Sequence, residues 1–167
     1  MDGRRFREIA GSFPTGVTVI TTRDQAGRPV GMTMNSFSSL SLEPLLIMYS
    51  IAKAASLYRA FMTSDIFAVN ILAACQEDLA RQFAQKGVDR FAGVVYTEDQ
   101  TGAPILPGAL GYFDCRMVMR HQGGDHTIVV GEVVGGDVRE GNALTFYRGR
   151  YLCVPSAPVV ELLTCAS

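Results

Sequence analysis

Apolar and polar positions along the 167-residue chain alternate mostly with a period of two, interrupted by three short stretches of helical spacing. Phe6, Ile9, Ala10 and Phe13 recur at helical intervals, which predicts an amphipathic helix over residues 3–12 that stops before Pro14. Residues 16–22 are rich in β-branched side chains and read as a strand. Asp24-Gln25-Ala26-Gly27 is a turn signal leading to a second strand over residues 29–35, so the two form a hairpin. Residues 44–51 and 66–72 are apolar runs of strand length, while residues 54–62 and 76–84 read as helices, the latter with Leu79 and Phe83 on one face. Residues 86–108 form a loop-rich stretch.

In the last third, Phe113, Cys115, Met117 and Met119 alternate with Asp114, Arg116 and Arg120, which predicts a strand with one buried and one wet face. Two more strands are expected over residues 127–138 and 143–147, with Gly123-Gly124 and Glu140-Gly141-Asn142 as turns. A mainly β chain with short turns and a few short peripheral helices predicts a closed or nearly closed antiparallel barrel, because closure removes exposed edges. We read one domain over residues 1–154 and a tail over residues 155–167. The tail carries two prolines and then a short apolar run, a pattern that assigns it no element.

Composition narrows the function. With 48% hydrophobic and 19% charged residues the chain fills one core and is too short to need two domains. A net charge of -1 and a pI near 6.1 give no electrostatic reason to expect nucleic acid or an anionic membrane, so the expected partner is a small molecule or a protein. Met1–Arg7 is charged with no apolar segment behind it, and no run of about 18 apolar residues occurs. Cys75, Cys115, Cys153 and Cys165 are far apart and form neither CxxC nor a zinc spacing, which fits a reducing cytoplasm and no metal site. No two glycines are separated by a single residue, which excludes GxGxxG, and there is no P-loop. With two histidines and no GxSxG, little remains for a hydrolase triad, and catalysis falls to a bound cofactor.

Three segments carry candidate chemistry. Thr33-Met34-Asn35-Ser36-Phe37-Ser38-Ser39-Leu40-Ser41, between two predicted strands, can offer donors and acceptors to the edge of a planar heterocycle, although composition alone favours a polar strand end or Ser/Thr turn. Ser50-Ile51-Ala52-Lys53-Ala54-Ala55-Ser56 joins a strand to a predicted helix, where a lysine, hydroxyls and free N–H groups form a phosphate site; the alternative is that Ser56 caps the helix and Lys53 is solvated. Gly124-Asp125-His126-Thr127 sets a histidine after a turn, either to meet a ligand amide or phosphate or to be satisfied by Asp125.

Together, Phe13-Pro14-Thr15-Gly16-Val17-Thr18-Val19, Gly31-Met32 with the 33–41 run and Leu42-Glu43-Pro44, Phe67-Ala68-Val69-Asn70-Ile71-Leu72 and Gly124-Asp125-His126-Thr127 resemble the successive signatures of the flavin reductase-like family. Order and separations match over residues 6–152. The resemblance implies a split β-barrel of the FMN-binding type that forms a homodimer, with FMN or FAD near the subunit interface and NADH or NADPH as hydride donor. It also implies release of reduced flavin to a partner monooxygenase in the cytoplasm. By segment, Thr33, Met34, Asn35, Ser36, Ser38 and Ser39 would line the isoalloxazine and ribityl chain, and Ser50, Ile51, Ala52, Lys53 and Ser56 would hold ribityl or phosphate groups. Phe83 would be a further flavin-side contact, and His126, with Tyr151, would meet the nicotinamide nucleotide. No protein acid or base is obligatory when hydride passes between two cofactors. Met34 stands where many members carry a smaller or β-branched residue, and Ala54 and Ala55 where hydroxyls are common. Two rival roles share the resemblance: a split-barrel oxidoreductase with a tightly held flavin, and a flavin-binding protein without turnover.

Overall fold

A computed structural model describes residues 1–156; the predicted tail from 157 onward, with Cys165, lies outside the described residues. Helix α1 (Gly3–Ala10) starts where the Asp2 carboxylate accepts the Arg5 N–H at 2.8 Å, and it ends at Gly11, short of Pro14. There follow β1 (Thr15–Gly16), β2 (Thr18–Arg23), β3 (Pro29–Met34), β4 (Ser38–Leu42), β5 (Leu45–Ala52), α2 (Tyr58–Thr63) and β6 (Ile66–Ile71). A 3-10 turn at Ala74–Gln76 leads into α3 (Glu77–Ala84), and the chain closes with β7 (Thr97–Glu98), β8 (Pro104–Ile105), β9 (Gly111–Gly123), β10 (His126–Val138), β11 (Ala143–Tyr147) and β12 (Arg150–Val154).

Seven strands form one antiparallel sheet in the order β3-β2-β6-β9-β10-β5-β4. Its two edge strands, β3 and β4, are separated in sequence only by Asn35, Ser36 and Phe37. Laid flat, the edges would stand about 29 Å apart at about 4.8 Å per strand spacing. Four Cα steps reach at most about 15 Å. The sheet must therefore curl until its edges approach, and the link 35–37 crosses the seam. No ladder joins β3 to β4 among the described residues, so the barrel is split there.

A second division falls at Val17. The predicted strand over residues 16–22 is two strands, because β1 belongs to a three-stranded sheet, β1-β11-β12, and β2 to the large one. Val17 spans the change, donating to the Leu144 carbonyl and accepting from the Leu72 N–H. β2 is consequently buried on both faces, with Ile20 in the barrel core beside Tyr49, Phe67 and Val129, and Val19 in a second core with Leu72, Phe83 and Leu144. Its buried hydroxyls are bonded: Thr18 donates to the Met34 carbonyl at 2.8 Å and Thr22 to the Ile66 carbonyl at 2.6 Å. Asn70, also buried, donates to the Val19 carbonyl and accepts from the Leu106 N–H.

The predicted hairpin forms, with Thr18 opposite Met34 and Arg23 opposite Pro29. Three expectations change. The helix expected over 54–62 is only α2, because Ala55 and Tyr58 donate to the carbonyls of Ala52 and Ala55 in successive turns before it. The polar run becomes strand in its second half: β4 is an exposed edge paired only to β5, and its two leucines, Leu40 and Leu42, are exposed and not buried in the core. Asp114, expected on the wet face of β9, is fully buried: the 86–108 loop crosses that face, and Thr101 donates to Asp114 from its N–H at 2.8 Å and from its hydroxyl. Met119 is exposed instead, because β6 pairs with β9 only up to Arg116. Cys115 is buried, which pushes its thiol pKa up, whereas Cys75 and Cys153 are exposed. No helix among the described residues is long and apolar enough to cross a membrane.

The β9–β10 hairpin bends at irregularities after Val130 and Val133. At the first, Gly131 lets the Phe67 ring approach so closely that an added Cβ would stand 2.3 Å from it, and Phe67 is wholly buried. Gly131→Ala is expected to lower stability by about 1–3 kcal/mol. Denaturant unfolding should show a reduced midpoint with an unchanged slope; an unchanged midpoint would mean that the bend absorbs the methyl group.

Candidate functional site

The seam is held from the β5 side. Ser36 Oγ donates to the Ser50 carbonyl at 2.7 Å and accepts the Ser50 N–H at 3.1 Å, which ties the link between the edge strands to β5. Asn35, exposed, donates to Thr15 Oγ1 at 3.2 Å. Thr33 Oγ1 donates to the Ala80 carbonyl at 2.6 Å, joining β3 to α3. Ser38 and Ser39 are exposed on β4, and the Ser38 hydroxyl donates to the Ser39 carbonyl at 3.0 Å. Met34 and Ile51 bury their side chains in the barrel core and offer a ligand only main chain. Phe83 is fully enclosed; its ring packs edge-on against Phe91 and so close to Gly31 that an added Cβ would stand 2.7 Å away. It therefore supports the wall behind β3 from inside and has no free surface to give a ligand.

At the same, C-terminal end of β5, the second and third candidate segments meet. Ala52 pairs with His126, and the Lys53 N–H donates to the Asp125 carbonyl at 2.9 Å. The Lys53 ammonium donates to the Gly124 carbonyl at 2.7 Å, so this charge holds the turn before β10. His126 Nδ1 lies 2.7 Å from the Asp125 carboxylate, whose pKa is held below its usual range by the hydrogen bond and charge of that imidazole. A carboxylate accepts only, so Nδ1 carries the proton and Nε2 is left for a ligand. Tyr151 stands elsewhere, on β12 of the small sheet, with Phe146 edge-on at 5.3 Å and the Arg81 guanidinium over its ring at 5.0 Å. Burial raises its phenol pKa.

Arg90 was not among the candidates, yet it is the most deeply buried cation near them, 6% exposed. Its guanidinium donates to the carbonyls of Gln85 at 2.6 Å and Gly31 at 3.0 Å, and reaches Ser56 Oγ at 3.5 Å. No carboxylate pairs with it among the described residues. Burial lowers its pKa. Arg90 and Ser56 line a cleft of about 700 Å³ between β3, α2 and the 87–91 loop.

The family model for the flavin reductase like domain matches residues 10–154. The chain belongs to this family. It is 44% identical over 152 residues to the reductase subunit HsaB of a flavin-dependent monooxygenase from Rhodococcus jostii, covering 90% of this chain and 77% of that protein. It is 41% identical over 150 residues to the FMN reductase (NADH) SmoA of Agrobacterium fabrum, covering 90% and 85%. Among solved structures, the NADH:FAD oxidoreductase SgcE6 of Streptomyces globisporus, in complex with NAD and FAD fragments, superposes with a TM-score of 0.84 at 38% identity, covering 96% of each chain. These relatives are oxidoreductases, and HsaB, like a 42% identical protein of Acinetobacter baylyi named as the reductase component of a flavin-dependent trigonelline monooxygenase, is the reductase part of a flavin-dependent monooxygenase.

In this flavin reductase, then, the polar run crosses the barrel seam, and Lys53 bonds the 50–56 segment to the turn that carries His126. Arg90 had no periodicity or motif to expose it, being one arginine in a glycine- and aspartate-bearing loop; only the fold shows that it is buried. Ser36 provides the test of the seam. Ser36→Ala leaves the partly buried Ser50 N–H without its acceptor, and is expected to cost about 1–2 kcal/mol of stability and to weaken flavin binding. Thermal unfolding and flavin fluorescence quenching should move together; a loss of stability with flavin affinity intact would place the flavin away from the seam.

Proposed function

We propose that this chain passes hydride from NADH or NADPH to FMN or FAD and hands the reduced flavin to a separate monooxygenase in the cytoplasm, with residues 1–154 acting as one domain. The supporting observation is the bonding of Lys53 to Gly124 and Asp125, which brings the flavin-side segment and the nicotinamide-side turn together at one end of β5 and β10.

The donor set suits a flavin. The seam offers hydroxyls, an amide and main-chain groups for a ring edge that carries N–H and C=O, and Arg90 offers a phosphate a buried guanidinium that no carboxylate pairs with among the described residues. Thr33, Asn35, Ser36, Ser38 and Ser39, with the main chain of Met34, hold the ring and ribityl chain. Ser50, Ala52 and Ser56, with the main chain of Ile51, hold the ribityl and phosphate groups beside Arg90. Lys53 fixes the turn, and His126 presents Nε2 to the nicotinamide nucleotide, with Tyr151 joining that side on family resemblance alone. A bound flavin supplies the hydride acceptor; the protein positions it and excludes water, and effective positioning of two reactants is worth several kcal/mol of barrier.

A homodimer completes this reading. Helix α1 buries none of its residues, and Phe6 and Ile9 are more than half exposed. Leu42, at 87%, and Val138, at 80%, are also exposed at the ends of barrel strands, as is Leu45, and exposed apolar patches mark association surfaces. Light scattering should give twice the chain mass of 18.1 kDa at micromolar concentration; a mass of 18.1 kDa would count against the dimer.

His126→Ala should raise KM for NADH or NADPH, or slow hydride transfer, by roughly ten- to a hundredfold, the effect of losing one or two hydrogen bonds to a ligand. Flavin Kd by fluorescence quenching should barely change. A variant that loses flavin and keeps its nicotinamide kinetics at saturating flavin would assign His126 to the other cofactor.

A further inference from the structure

We propose that the cleft beside Ser56 receives the adenosine diphosphate half of FAD, so that this reductase prefers FAD to FMN. The inference rests on the flavin assignment of the seam and of Ser56, and deepens it.

Position comes first. The flavin-side residues of β3 begin at Thr33, whereas the cleft is lined by Pro29 and Gly31 at the other end of the same strand and reaches the β2–β3 turn at Asp24. Ser56 and Arg90 themselves line the cleft, where Arg90 bonds both the Gly31 carbonyl and the Ser56 hydroxyl, and Gly31 precedes Thr33 by two residues on β3. A flavin with its ring at the seam and its phosphate at Ser56 therefore has the cleft ahead of that phosphate. A space of about 700 Å³ lies within the range of small-molecule sites.

Charge gives the number of phosphates. Three arginines line the cleft: Arg28, Arg59 and Arg90. Arg28 is matched by Asp24 at 2.8 Å. Arg90 is buried against carbonyls and a hydroxyl only, and Arg59, exposed, has no ion-pair partner among the described residues. A buried cation without an anion is costly, and a phosphate relieves that cost. FMN carries one phosphate and FAD two, so one is left for Arg59. Asp89 on the rim uses one carboxylate oxygen to accept the Phe91 N–H at 3.0 Å, and the other can accept from the ribose hydroxyls of the adenosine half, which lie beyond the phosphate, whereas the ribityl hydroxyls of FMN lie before it.

The same adenosine diphosphate chemistry is present in NADH and NADPH, so the test separates the sources. Flavin Kd values are measured by fluorescence quenching for FAD and FMN on the wild type and on Arg59→Ala, an exposed helix position where alanine is well tolerated. FAD should bind the wild type about tenfold more tightly than FMN, and Arg59→Ala should weaken FAD by about tenfold with less than a twofold change for FMN. ADP should displace FAD and leave FMN bound. In steady-state oxidation with FMN as acceptor, ADP should not compete with NADH; competition with NADH, and none with FAD, would give the cleft to the nicotinamide nucleotide and overturn the proposal. Equal affinity for FAD and FMN, unmoved by Arg59→Ala, would also overturn it while leaving the flavin reductase reading intact. Failure of both flavins to bind would overturn that reading as well.

Discussion

The link Asn35-Ser36-Phe37 sets the geometry on which the rest of this molecule depends. Strands at opposite edges of a seven-stranded sheet cannot be joined by three residues unless the sheet curls, and the curl brings a polar connection onto an open seam. A seam without a ladder leaves main-chain groups of β3 and β4 free to bond something other than each other. In most proteins an open edge of this kind is a liability to be blunted or covered. Here it coincides with the polar run, and the Ser36–Ser50 bonds hold it in one place without filling it.

The remaining architecture supports that seam from behind. β2 is buried on both faces because the chain changes sheets at Val17, so one strand serves the barrel core and the second core that backs α3. Phe83 belongs to this backing. Its ring lies against Gly31, and α3 reaches β3 again through the Thr33 hydroxyl. The Gln82 side chain bonds the carbonyls of Arg90 and Ala92, and Arg90 bonds Gln85 in return, which staples the 85–92 loop to α3 and carries a buried cation to the edge of the cleft. Packing thus maintains a buried positive charge that no carboxylate matches among the described residues.

Polar residues in the barrel region divide by whether the fold has already satisfied them. Thr18, Thr22, Asn70 and Asp114 are buried with their bonds made and hold strands and loops together. Asn35, Ser39, His126 Nε2 and Arg59 face outward with capacity to spare. The division matters for Lys53, whose ammonium lies with the first group through Gly124 although its residue type belongs with the second. A point charge at a turn can organise two candidate segments through its bond to main chain alone.

By itself the sequence determined the class of the fold and the segments that bear chemistry. Period-two alternation, turn dipeptides and the apolar runs of β2, β3, β5, β6 and β10 are local signals that burial on one or both faces writes directly into residue type. The polar run and the Gly124-Asp125-His126-Thr127 turn were legible because their composition departs from that alternation. What stayed hidden depended on distant partners. β4 and β12 lie at sheet edges and are largely exposed, so burial leaves no pattern in them. Asp114 looks like a solvent-facing residue until the loop bearing Thr101 covers it, and Arg90 looks like a loop cation until Gly31 and Ser56 close around it. The meeting of Lys53 with Gly124, 71 residues away, and the seam itself were decided only by tertiary structure, because both follow from strand order. Residue types constrain which face of a strand is buried; they do not say which strand will lie beside it.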